Sequence, residues 1–474
     1  MAHIGKLSRR GFLHIAGAAG GAAVLAACVA TPAPQVVKET VVVPETVVVK
    51  ETVEVVKAPA GQPVIRFTTD WYGGVRGELT NQFLAKWKDE VHPDITIAYE
   101  PCPRVQDRLR VEFAAGTPPD VMLFAPELFA AFADQLLVLD PFWETADPAW
   151  KESVLGIDPS YYWDGHLVGV PFQHNIWGFA INTDLFEKAG VPMPWEYDHD
   201  GDKWWDWNDF LASAKAIQGI EEGIYGADVG GNTYMHWGPW IRTNGGEYVR
   251  PPWPKPGEAV KSALSEPEAA EALTFLYNVQ CKENAAIPRD VLVSLAESLQ
   301  ISPFYAGKVG IIQSAGEVSM RRAHEESGFN GHRVATPRSP RTKYGKHHQG
   351  NCPHVASAKT AYPEACWQLM YFLDGEWCQG ENGLQGGAMP GLKSLLYNSE
   401  YMDKFMAGFP EIAREALQQC AEENDCLPGC FPNFEEWRDE VEAIAQDMSL
   451  CKMPVEQAIV EMDTVANSIL SRPA

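Results

Sequence analysis

Large aromatic side chains occur at two places where their rings could stack on a sugar. Trp71 and Tyr72 follow a β-branched run, and Tyr234, Trp237 and Trp240 lie within seven residues of one another. Aromatic rings bind the apolar faces of sugars, but they also dominate protein cores. The sequence favours Trp237 and Trp240 as ligand contacts with Tyr234 beside them, and it leaves Trp71 and Tyr72 evenly divided between binding and packing.

Polar side chains follow two short apolar runs that we predict to be strands. Gln313 and Glu317 come after residues 307–312, and Glu127 comes after residues 121–124. A site that recognises hydroxyl groups needs a few such groups set among apolar walls. We therefore expect these three side chains to form hydrogen bonds with a ligand.

Two facing carboxylates could instead hydrolyse a glycosidic bond, and Glu127 and Glu317 would be the pair. No motif supports this chemistry. The chain has no Gly-x-Ser-x-Gly, no His-Glu-x-x-His and no Gly-x-x-x-x-Gly-Lys-Ser/Thr sequence. The sequence therefore favours a binding protein over an enzyme and predicts no cofactor.

Residues 198–202 (DHDGD) imitate the start of a calcium loop. Lys203 stands where the sharp turn needs Gly, and Asp209 replaces the bidentate Glu. A solvated turn is the favoured interpretation. No metal site is predicted, although the sequence leaves calcium binding by this turn open.

Composition limits the partners. The 474 residues are 46% hydrophobic and carry 63 acidic against 38 basic side chains, for a formal net charge of −25. This length suggests two or three domains with sizeable cores. The charge repels phosphate backbones, which argues against nucleic-acid binding. The same acidity, combined with aromatic rings, suits a cationic ligand such as a polyamine through cation–π contacts.

The first sixty residues are typical of an exported, anchored protein. Residues 1–27 have the charged start and small-residue end of an export signal, and Arg9 and Arg10 lie in a run similar to the twin-arginine signal. Residues 25–28 (LAAC) resemble a bacterial lipobox, which makes Cys28 the expected lipidation site. Residues 28–61 contain a Val-rich repeat of six that we interpret as a tether.

The cysteines leave the redox chemistry open. Ten cysteines less Cys28 leave nine, an odd number, so at least one thiol is expected to stay unpaired within the chain. Cys420, Cys426 and Cys430 lack Cys-x-x-Cys spacing, which argues against zinc. A disulfide in an exported environment is open, and its pairing cannot be read from the spacing.

Beyond residue 62, predicted strands and helices alternate, which indicates βαβ units and a mainly parallel sheet. Ligands of such sheets bind beyond the carboxyl ends of the strands. The predicted strands are 64–69, 95–99 and 121–124, followed by a hairpin that leads into an extended segment over 165–171. The predicted helices are 80–91, 105–115, 182–190, 209–217 with Asn208 as its cap, 266–282, 363–378, 434–446 and 455–470.

Several segments carry a family likeness. They are residues 114–121 (AAGTPPDV), 165–171, 180–191 (AINTDLFEKAGV), 207–210, 304–311 (FYAGKVGI), 363–373 and 389–391. In order and spacing they resemble extracellular solute-binding proteins of ABC importers, the maltose-binding-like family 1. The likeness extends over almost all of residues 62–474.

The resemblance implies an α/β fold of two lobes, the periplasmic-binding-protein or Venus flytrap fold, with hinge crossings and a helical C-terminus. One lobe would hold residues 62–172 and 353–392, and the other 177–348 and 396–474. Asn175 would lie in the first crossing and Asn351 in the second, where both amides could contact the ligand. Residues 234–240 would present an aromatic ring to the cleft.

The implied protein is the substrate-binding component of an ABC importer. It would be a monomer that captures a carbohydrate by cleft closure and passes it to permease subunits in the membrane. Its expected location is the outer face of the bacterial cytoplasmic membrane, through the lipid anchor, or the periplasm. The alternatives are a binder of a polyamine or a polyol and, less favoured, an exported glycoside hydrolase.

Overall fold

The computed structural model describes residues 63–472, apart from 126–127, 156, 158, 173, 175, 200–203, 346, 350–352 and 423. The expected export signal with Arg9 and Arg10, the lipidation site Cys28 and the tether lie outside the described residues. Among the residues described, no helix combines the length and the apolar character needed to cross a bilayer.

Strands and helices alternate along the described chain. The strands are β1 Val64–Thr68, β2 Thr96–Tyr99, β3 Val121–Leu123, β4 Tyr162–Trp163, β5 His166–Leu167, β6 Gly169–Pro171, β7 Ile176–Asn182, β8 Tyr225–Asp228, β9 Val249–Arg250, β10 Lys261–Ser262, β11 Val309–Ala315, β12 Gly331–Val334, β13 His347–Gln349, β14 Pro353–Ala356 and β15 Asn424–Cys426. The helices are α1 Gly74–Lys86, α2 Val105–Ala115, α3 Phe129–Phe132, α4 Asp140–Thr145, α5 Pro148–Ser153, α6 Thr183–Ala189, α7 Trp207–Gln218, α8 Tyr234–Thr243, α9 Pro267–Tyr277, α10 Arg289–Leu299, α11 Glu317–Ser327, α12 Pro363–Leu373, α13 Glu376–Gln385, α14 Lys393–Leu396, α15 Ser399–Phe405, α16 Glu411–Glu422, α17 Phe434–Ser449 and α18 Val455–Leu470. Short 3-10 turns are Ala133–Gln135, Pro159–Tyr161 and Pro194–Glu196, and π-helical turns at Trp87–Val91 and Asn278–Lys282 extend α1 and α9.

The first sheet has the strand order β2-β1-β3-β14-β6. Strands β1, β2 and β3 are parallel, as the alternation of strands and helices predicted, and β14 runs antiparallel to both of its neighbours. We call the part of the chain built around this sheet the first lobe. Its core contains Ile65, Phe83 and Trp87 and is completed by Cys366 and Met370 of α12.

The second sheet has the order β15-β13-β7-β11-β8, and β12 also pairs with β7. We call the part built around this sheet the second lobe. Its core joins β7 and α7 to the long C-terminal helices, and it contains Phe179, Phe210, Trp437, Val441 and Met462. Each sheet therefore has its own apolar core.

The helices that follow residue 396 divide between the two cores. Tyr401 and Phe405 of α15 and Leu417 of α16 pack in the core of the first lobe, whereas α17 and α18 pack in that of the second. The expected lobe boundaries remain a prediction. This packing is the reason to revise them by placing α15 with the first lobe, whereas α16 lies between the lobes, because it packs in the first core and also contacts β12 and β7 of the second sheet.

Helix ends follow local sequence rules. The side-chain oxygen of Asn182 caps α6, which ends before Gly190 in the left-handed region at a φ of 66°, as the 182–190 prediction required. The predicted cap of α7 was wrong. Asp206, rather than Asn208, accepts the first N–H groups, those of Asn208 and Asp209, because its carboxylate precedes the first turn.

The predicted helix 363–378 is broken into α12 and α13. The break falls at Asp374, whose buried carboxylate lies 2.8 Å from Nδ1 of His354 on β14. Burial raises the pKa of Asp374 to about 6, and the histidine opposes that shift. Gly375 follows and begins the new helix. The helix breaks here because the backbone turns to an extended conformation at Gly375, and the bond from Asp374 to His354 holds the break against the sheet.

A disulfide joins Cys281 and Cys451, whose Cα atoms are 5.6 Å apart. It ties the π-helical turn after α9 to the connection between α17 and α18, within the second lobe. The partners are 170 residues apart in sequence. A crosslink over that distance removes much of the freedom of the unfolded chain.

Replacing both Cys281 and Cys451 with Ser should lower the free energy of unfolding by about 5 kcal/mol, because the closed loop is long. Urea unfolding followed by tryptophan fluorescence measures this loss. The matched control is Cys102→Ser, since Cys102 is a free, half-buried thiol. A reductant should destabilise the wild-type chain and leave the double variant unchanged, and equal sensitivity in both would contradict the disulfide.

His174 lies fully buried between β6 and β7, where the chain passes from the first sheet to the second. Its backbone N–H donates to the carbonyl of Met389. Burial, together with the charge of Arg333, lowers the pKa of this imidazole to about 3. The folded chain therefore keeps His174 neutral at pH values where the unfolded chain protonates it.

Replacing His174 with Gln should flatten the pH dependence of stability. Below the ordinary histidine pKa of about 6.5, His174 binds a proton in the unfolded state but stays neutral in the folded state. Acidification from about pH 6.5 towards pH 4 therefore destabilises the wild-type chain. The wild-type slope should exceed that of His174→Gln by up to about 1.4 kcal/mol per pH unit in this window. Unfolding in urea across a pH series tests this, and parallel slopes would exclude His174 as the cause.

Candidate functional site

Trp71 lies beyond the carboxyl end of β1, as expected, but its ring is packed. It contacts Phe172 with ring centroids 4.8 Å apart, and the Arg76 guanidinium lies 5.0 Å from its centroid. Leu123 and Ala388 complete this small cluster. The neighbouring Tyr72 is 61% exposed. Of the two predicted contacts, Tyr72 alone offers a free ring in this conformation.

Tyr234, Trp237 and Trp240 lie on α8 and point into the core of the second lobe. Trp237 is 0% exposed and packs edge-on against Tyr248. A fully buried ring offers no face to a ligand, so the structure favours the packing interpretation for Trp237. The signal was the spacing of three residues between the rings, which places them on one side of a helix.

The Gln313 amide is already used within the protein. Its Oε1 accepts from Nε1 of Trp240 at 2.9 Å, and its Nε2 donates to the carbonyl of His236 at 2.8 Å. The side chain is buried and connects β11 to α8. Gln313 therefore positions the aromatic helix, and a ligand would have to replace one of these bonds to reach it.

The remaining predicted contacts stay predictions. Glu127, Asn175 and Asn351 lie outside the described residues. Glu317 begins α11, and its side chain is likewise not described.

His199, Asp206 and Asp209 each bring a potential metal ligand atom to within 4.8 Å of the others. Asp206 and Asp209 form the capping box of α7, and Nε2 of His199 lies 2.7 Å from the Asp209 carboxylate. Helix capping therefore explains why these groups approach one another. The predicted turn at 198–202 leads into this cluster, and its residues 200–202 lie outside the described part of the chain.

A pocket of about 420 Å³ lies where the two lobes meet. We call it the inter-lobe pocket. Its walls include Tyr162, Trp163 and Asp164 from the first lobe, and Trp253, Lys255 and Cys430 from the second. It combines three aromatic side chains with one carboxylate and one ammonium group, which are the types of group that recognise hydroxylated rings.

The first-lobe wall of the inter-lobe pocket is the β4–β5 hairpin. Trp163 pairs with His166, so the turn contains only Asp164 and Gly165, both with positive φ values of 50° and 83°. A two-residue turn of this kind favours Asp-Gly. The Asp140 carboxylate accepts the N–H of Leu167 at 3.2 Å and holds the hairpin against α4.

Burial and the nearby Asp140 charge raise the pKa of Tyr162 above its usual value. Its hydroxyl therefore keeps its proton at neutral pH and can donate a hydrogen bond to a ligand. Asp164 supplies an acceptor and Lys255 a donor to the same pocket. The pocket can thus bond hydroxyl groups from opposite walls.

The lobes touch beside this pocket. Cys430 and Trp253 belong to the same apolar cluster as Leu109, Phe113 and Phe129 of the first lobe. Arg110 of α2 also forms an ion pair with Glu435 of α17. A ligand in the pocket would therefore be held by both lobes at once.

Our sequence reasoning missed Tyr162, Trp163 and Trp253. The available signals were the Trp-Asp-Gly-His turn at 163–166 and the Pro-Pro-Trp-Pro run at 251–254, which hold aromatic rings on rigid, exposed loops. Neither signal says which loops meet. That is decided by the docking of the two lobes.

Comparison with known proteins agrees with this architecture. The model of the family described as bacterial extracellular solute-binding protein matches residues 74–376. The sugar-binding protein MalE of Xanthomonas citri superposes with a TM-score of 0.71 at 18% identity, covering 86% of this chain and 97% of that one. An ABC substrate-binding protein of Listeria monocytogenes, solved with cycloalternan, gives 0.68 at 18% identity over 86% and 99%. The GacH receptor of Streptomyces glaucescens, solved unliganded and with acarbose, gives 0.65 at 16% identity over 86% and 98%.

At these identities the superpositions establish the fold, and they confirm the predicted α/β architecture of two lobes with a helical C-terminus. The family match extends over more than half of the chain and is independent of the superpositions. It also agrees with the resemblance found in the sequence. This chain belongs to the family of bacterial extracellular solute-binding proteins.

Proposed function

We propose that this protein is the lipid-anchored substrate-binding component of an ABC importer and that it captures a sugar or oligosaccharide between its lobes. The observation that carries the proposal is the inter-lobe pocket, in which Tyr162, Trp163 and Trp253 surround hydrogen-bonding groups. Structural neighbours bind cycloalternan, acarbose and maltotetraose. Carbohydrate is therefore the ligand class with the most support.

The pocket suits a saccharide in size and chemistry. Its 420 Å³ fall within the range of about 300–1,000 Å³ that is usual for small-molecule sites. Sugar C–H groups pack on aromatic faces, while hydroxyls bond to Asp164 and Lys255. An apolar ligand would leave those two charges without partners, which is costly when water is excluded.

In this proposal, closure of the lobes tells the permease that a ligand is bound. A ligand that contacts both walls of the pocket binds the closed arrangement more tightly than an open one, so binding shifts the equilibrium towards closure. A permease that recognises the closed form would accept loaded receptors in preference to empty ones. No covalent step is required, which agrees with a family of binding proteins.

The predicted contacts take different parts in this site. Tyr72, Glu127, Asn175, Glu317 and Asn351 remain our proposed ligand contacts at strand ends and crossings. The other predicted contacts are buried or hydrogen-bonded within the protein, so we propose that they stabilise the lobes and do not contact the ligand. They are Trp71, Tyr234, Trp237, Trp240 and Gln313.

Export and anchoring rest on the sequence. The twin-arginine-like run with Arg9 and Arg10, the lipobox ending at Cys28 and the tether at 28–61 support a receptor held beside the membrane as a monomer. The Cys281–Cys451 disulfide supports an oxidising compartment. The proposed location is the outer face of the cytoplasmic membrane or the periplasm.

A cationic ligand is the second candidate, because the chain carries a net charge of −25. Spermidine would use the aromatic rings of the pocket through cation–π contacts. Lys255 in the pocket wall opposes a cation, which is why a neutral saccharide is preferred. Binding of a polyol and hydrolysis of glycosides remain alternatives, and the experiments below test both.

Replacing Tyr162 with Ala should weaken saccharide binding about tenfold, because an aromatic face and a hydroxyl donor are lost together. Calorimetric titration with maltose, maltotetraose and cellobiose measures the affinity. The matched control is Tyr362→Ala, since both tyrosines are 40% exposed and Tyr362 lies outside the pocket.

The same titrations, extended to spermidine and sorbitol, separate the ligand classes. Binding of spermidine without any saccharide would refute the carbohydrate proposal. Turnover of chromogenic glycosides would refute the binding role itself. Equal losses in Tyr162→Ala and Tyr362→Ala would remove the inter-lobe pocket from the site.

Replacing Cys28 with Ser should release the protein from membranes, because the thiol is the only group at that position that could take the lipid. Detergent phase partitioning of the protein expressed in a bacterial host measures this, with the wild-type chain expected in the detergent phase. Cys102→Ser serves as the control. A Cys28→Ser protein that still partitions with detergent would contradict the proposed anchor.

A further inference from the structure

A second recess of about 590 Å³ lies entirely on the first lobe, and we call it the outer recess. Its aromatic walls are Trp150 of α5, Tyr371 and Phe372 of α12, and Trp377 of α13. None of the lining residues described comes from the second lobe. The outer recess is therefore separate from the inter-lobe pocket, and its shape does not depend on how the lobes meet.

The aromatic walls are preassembled. The rings of Trp150 and Tyr371 meet edge to face at 66° with centroids 4.7 Å apart, and those of Phe372 and Trp377 are stacked with centroids 6.3 Å apart. Nε1 of Trp150 donates to the carbonyl of Asp374, which fixes its ring. Trp377 is nevertheless 42% exposed. A large ring held in place while still open to solvent is a ready surface for a flat ligand.

Polar groups without protein partners line the same walls. Tyr371 and Glu376 make no side-chain hydrogen bond or ion pair to the residues that the structure describes. Asp147 uses one carboxylate oxygen to cap α5, through the N–H of Ala149, and its other oxygen is unpaired among those residues. Burial and the Asp147 charge raise the pKa of Tyr371, so its hydroxyl remains a donor. The outer recess thus offers one donor and two acceptors between aromatic faces.

Charged side chains next to the Trp377 ring affect which ligands the outer recess could bind. The Nζ of Lys86 lies 4.8 Å from the centre of this ring and forms an ion pair with Glu90. One face of the ring is therefore taken by an ammonium group whose charge Glu90 balances, and a ligand meets the remaining, uncharged surface of the ring. A purely apolar ligand would take water away from Asp147 and Glu376 without replacing their hydrogen bonds. A neutral, hydroxylated ring can pack on the aromatic surface and replace those hydrogen bonds, and a cation is the competing ligand class because the two carboxylates are acidic.

From this combination we propose that the outer recess is a second saccharide-binding site, which binds a sugar unit without closure of the lobes. The ring would lie against Trp377 and Phe372, with its hydroxyls bonded to Tyr371, Glu376 and Asp147. The proposal goes beyond capture in the inter-lobe pocket and does not need it. A second site would let the receptor hold an oligosaccharide or a glycan surface while the inter-lobe pocket loads or empties.

Fluorine NMR of the full mature chain, labelled with 5-fluorotryptophan, tests this proposal. The resonances of Trp377, Trp150, Trp163 and Trp253 are assigned with single Trp→Phe variants. Maltose, cellobiose, xylobiose and diacetylchitobiose are the probes, and choline and spermidine are the cation arms. At least one disaccharide should shift the Trp377 resonance, and the midpoint of that shift should be unchanged when Tyr162→Ala weakens binding in the inter-lobe pocket.

Tyr371→Phe and Glu376→Gln should each weaken that response about tenfold, whereas Tyr362→Phe should leave it unchanged. These variants alter one polar group each, and the Trp163 and Trp253 signals report whether the fold is intact. Loss of the Trp377 response in Tyr162→Ala would mean a single linked site and overturn the proposal.

Three other results would also overturn it. Shifts at Trp163 or Trp253 without any at Trp377 would leave the proposed function standing and exclude the outer recess. A Trp377 shift with choline or spermidine, and with no disaccharide, would make the outer recess a cation site. Absence of all shifts would exclude saccharide binding at both places.

Discussion

The constraint on which the structure depends is the return of β14 to the middle of the first sheet. β14 pairs antiparallel with β3 on one side and β6 on the other, and all four of its residues are buried. Without it, the inward edges of both neighbours would hold buried, unpaired backbone groups. The chain reaches β14 only after building most of the second sheet. The first lobe can therefore be completed only by a chain that has already crossed to the second lobe and back.

This strand also links the core to the strand ends. His354 on β14 lies 2.8 Å from the Asp374 carboxylate, and both residues are buried. The His354 ring also contacts the Phe172 ring, with centroids 4.3 Å apart, and Phe172 in turn contacts Trp71, with centroids 4.8 Å apart. The buried His354–Asp374 pair thus fixes the rings of Phe172 and Trp71 near the point where the chain leaves the first sheet. The crossing to the second lobe therefore begins from a packed, hydrogen-bonded support.

Most of the aromatic residues serve the cores, and this explains why aromatic content alone indicates a binding site so poorly. Trp237, Trp240 and Trp437 are fully buried in the second lobe. The rings left accessible stand on turns or helix starts, where the backbone holds them outwards: Tyr162 in a hairpin and Trp377 at the beginning of α13. A ring on a turn is available to a ligand because no second layer of structure covers it.

The sequence by itself determined the fold class, the family and most of the elements, because these follow from local periodicity and from motifs whose order survives divergence. Helices α2 and α18 have the predicted bounds, and β1, β2 and β3 match their predicted bounds within one residue. Tertiary structure decided the rest. It placed His354 against the carboxylate at the break of the 363–378 helix, paired Cys281 with Cys451, and turned the α8 aromatics inwards. It also brought the turns at Tyr162 and Trp253 to one pocket. Each of these outcomes depends on contacts between residues far apart in sequence, and local spacing carries no information about which distant surfaces will meet.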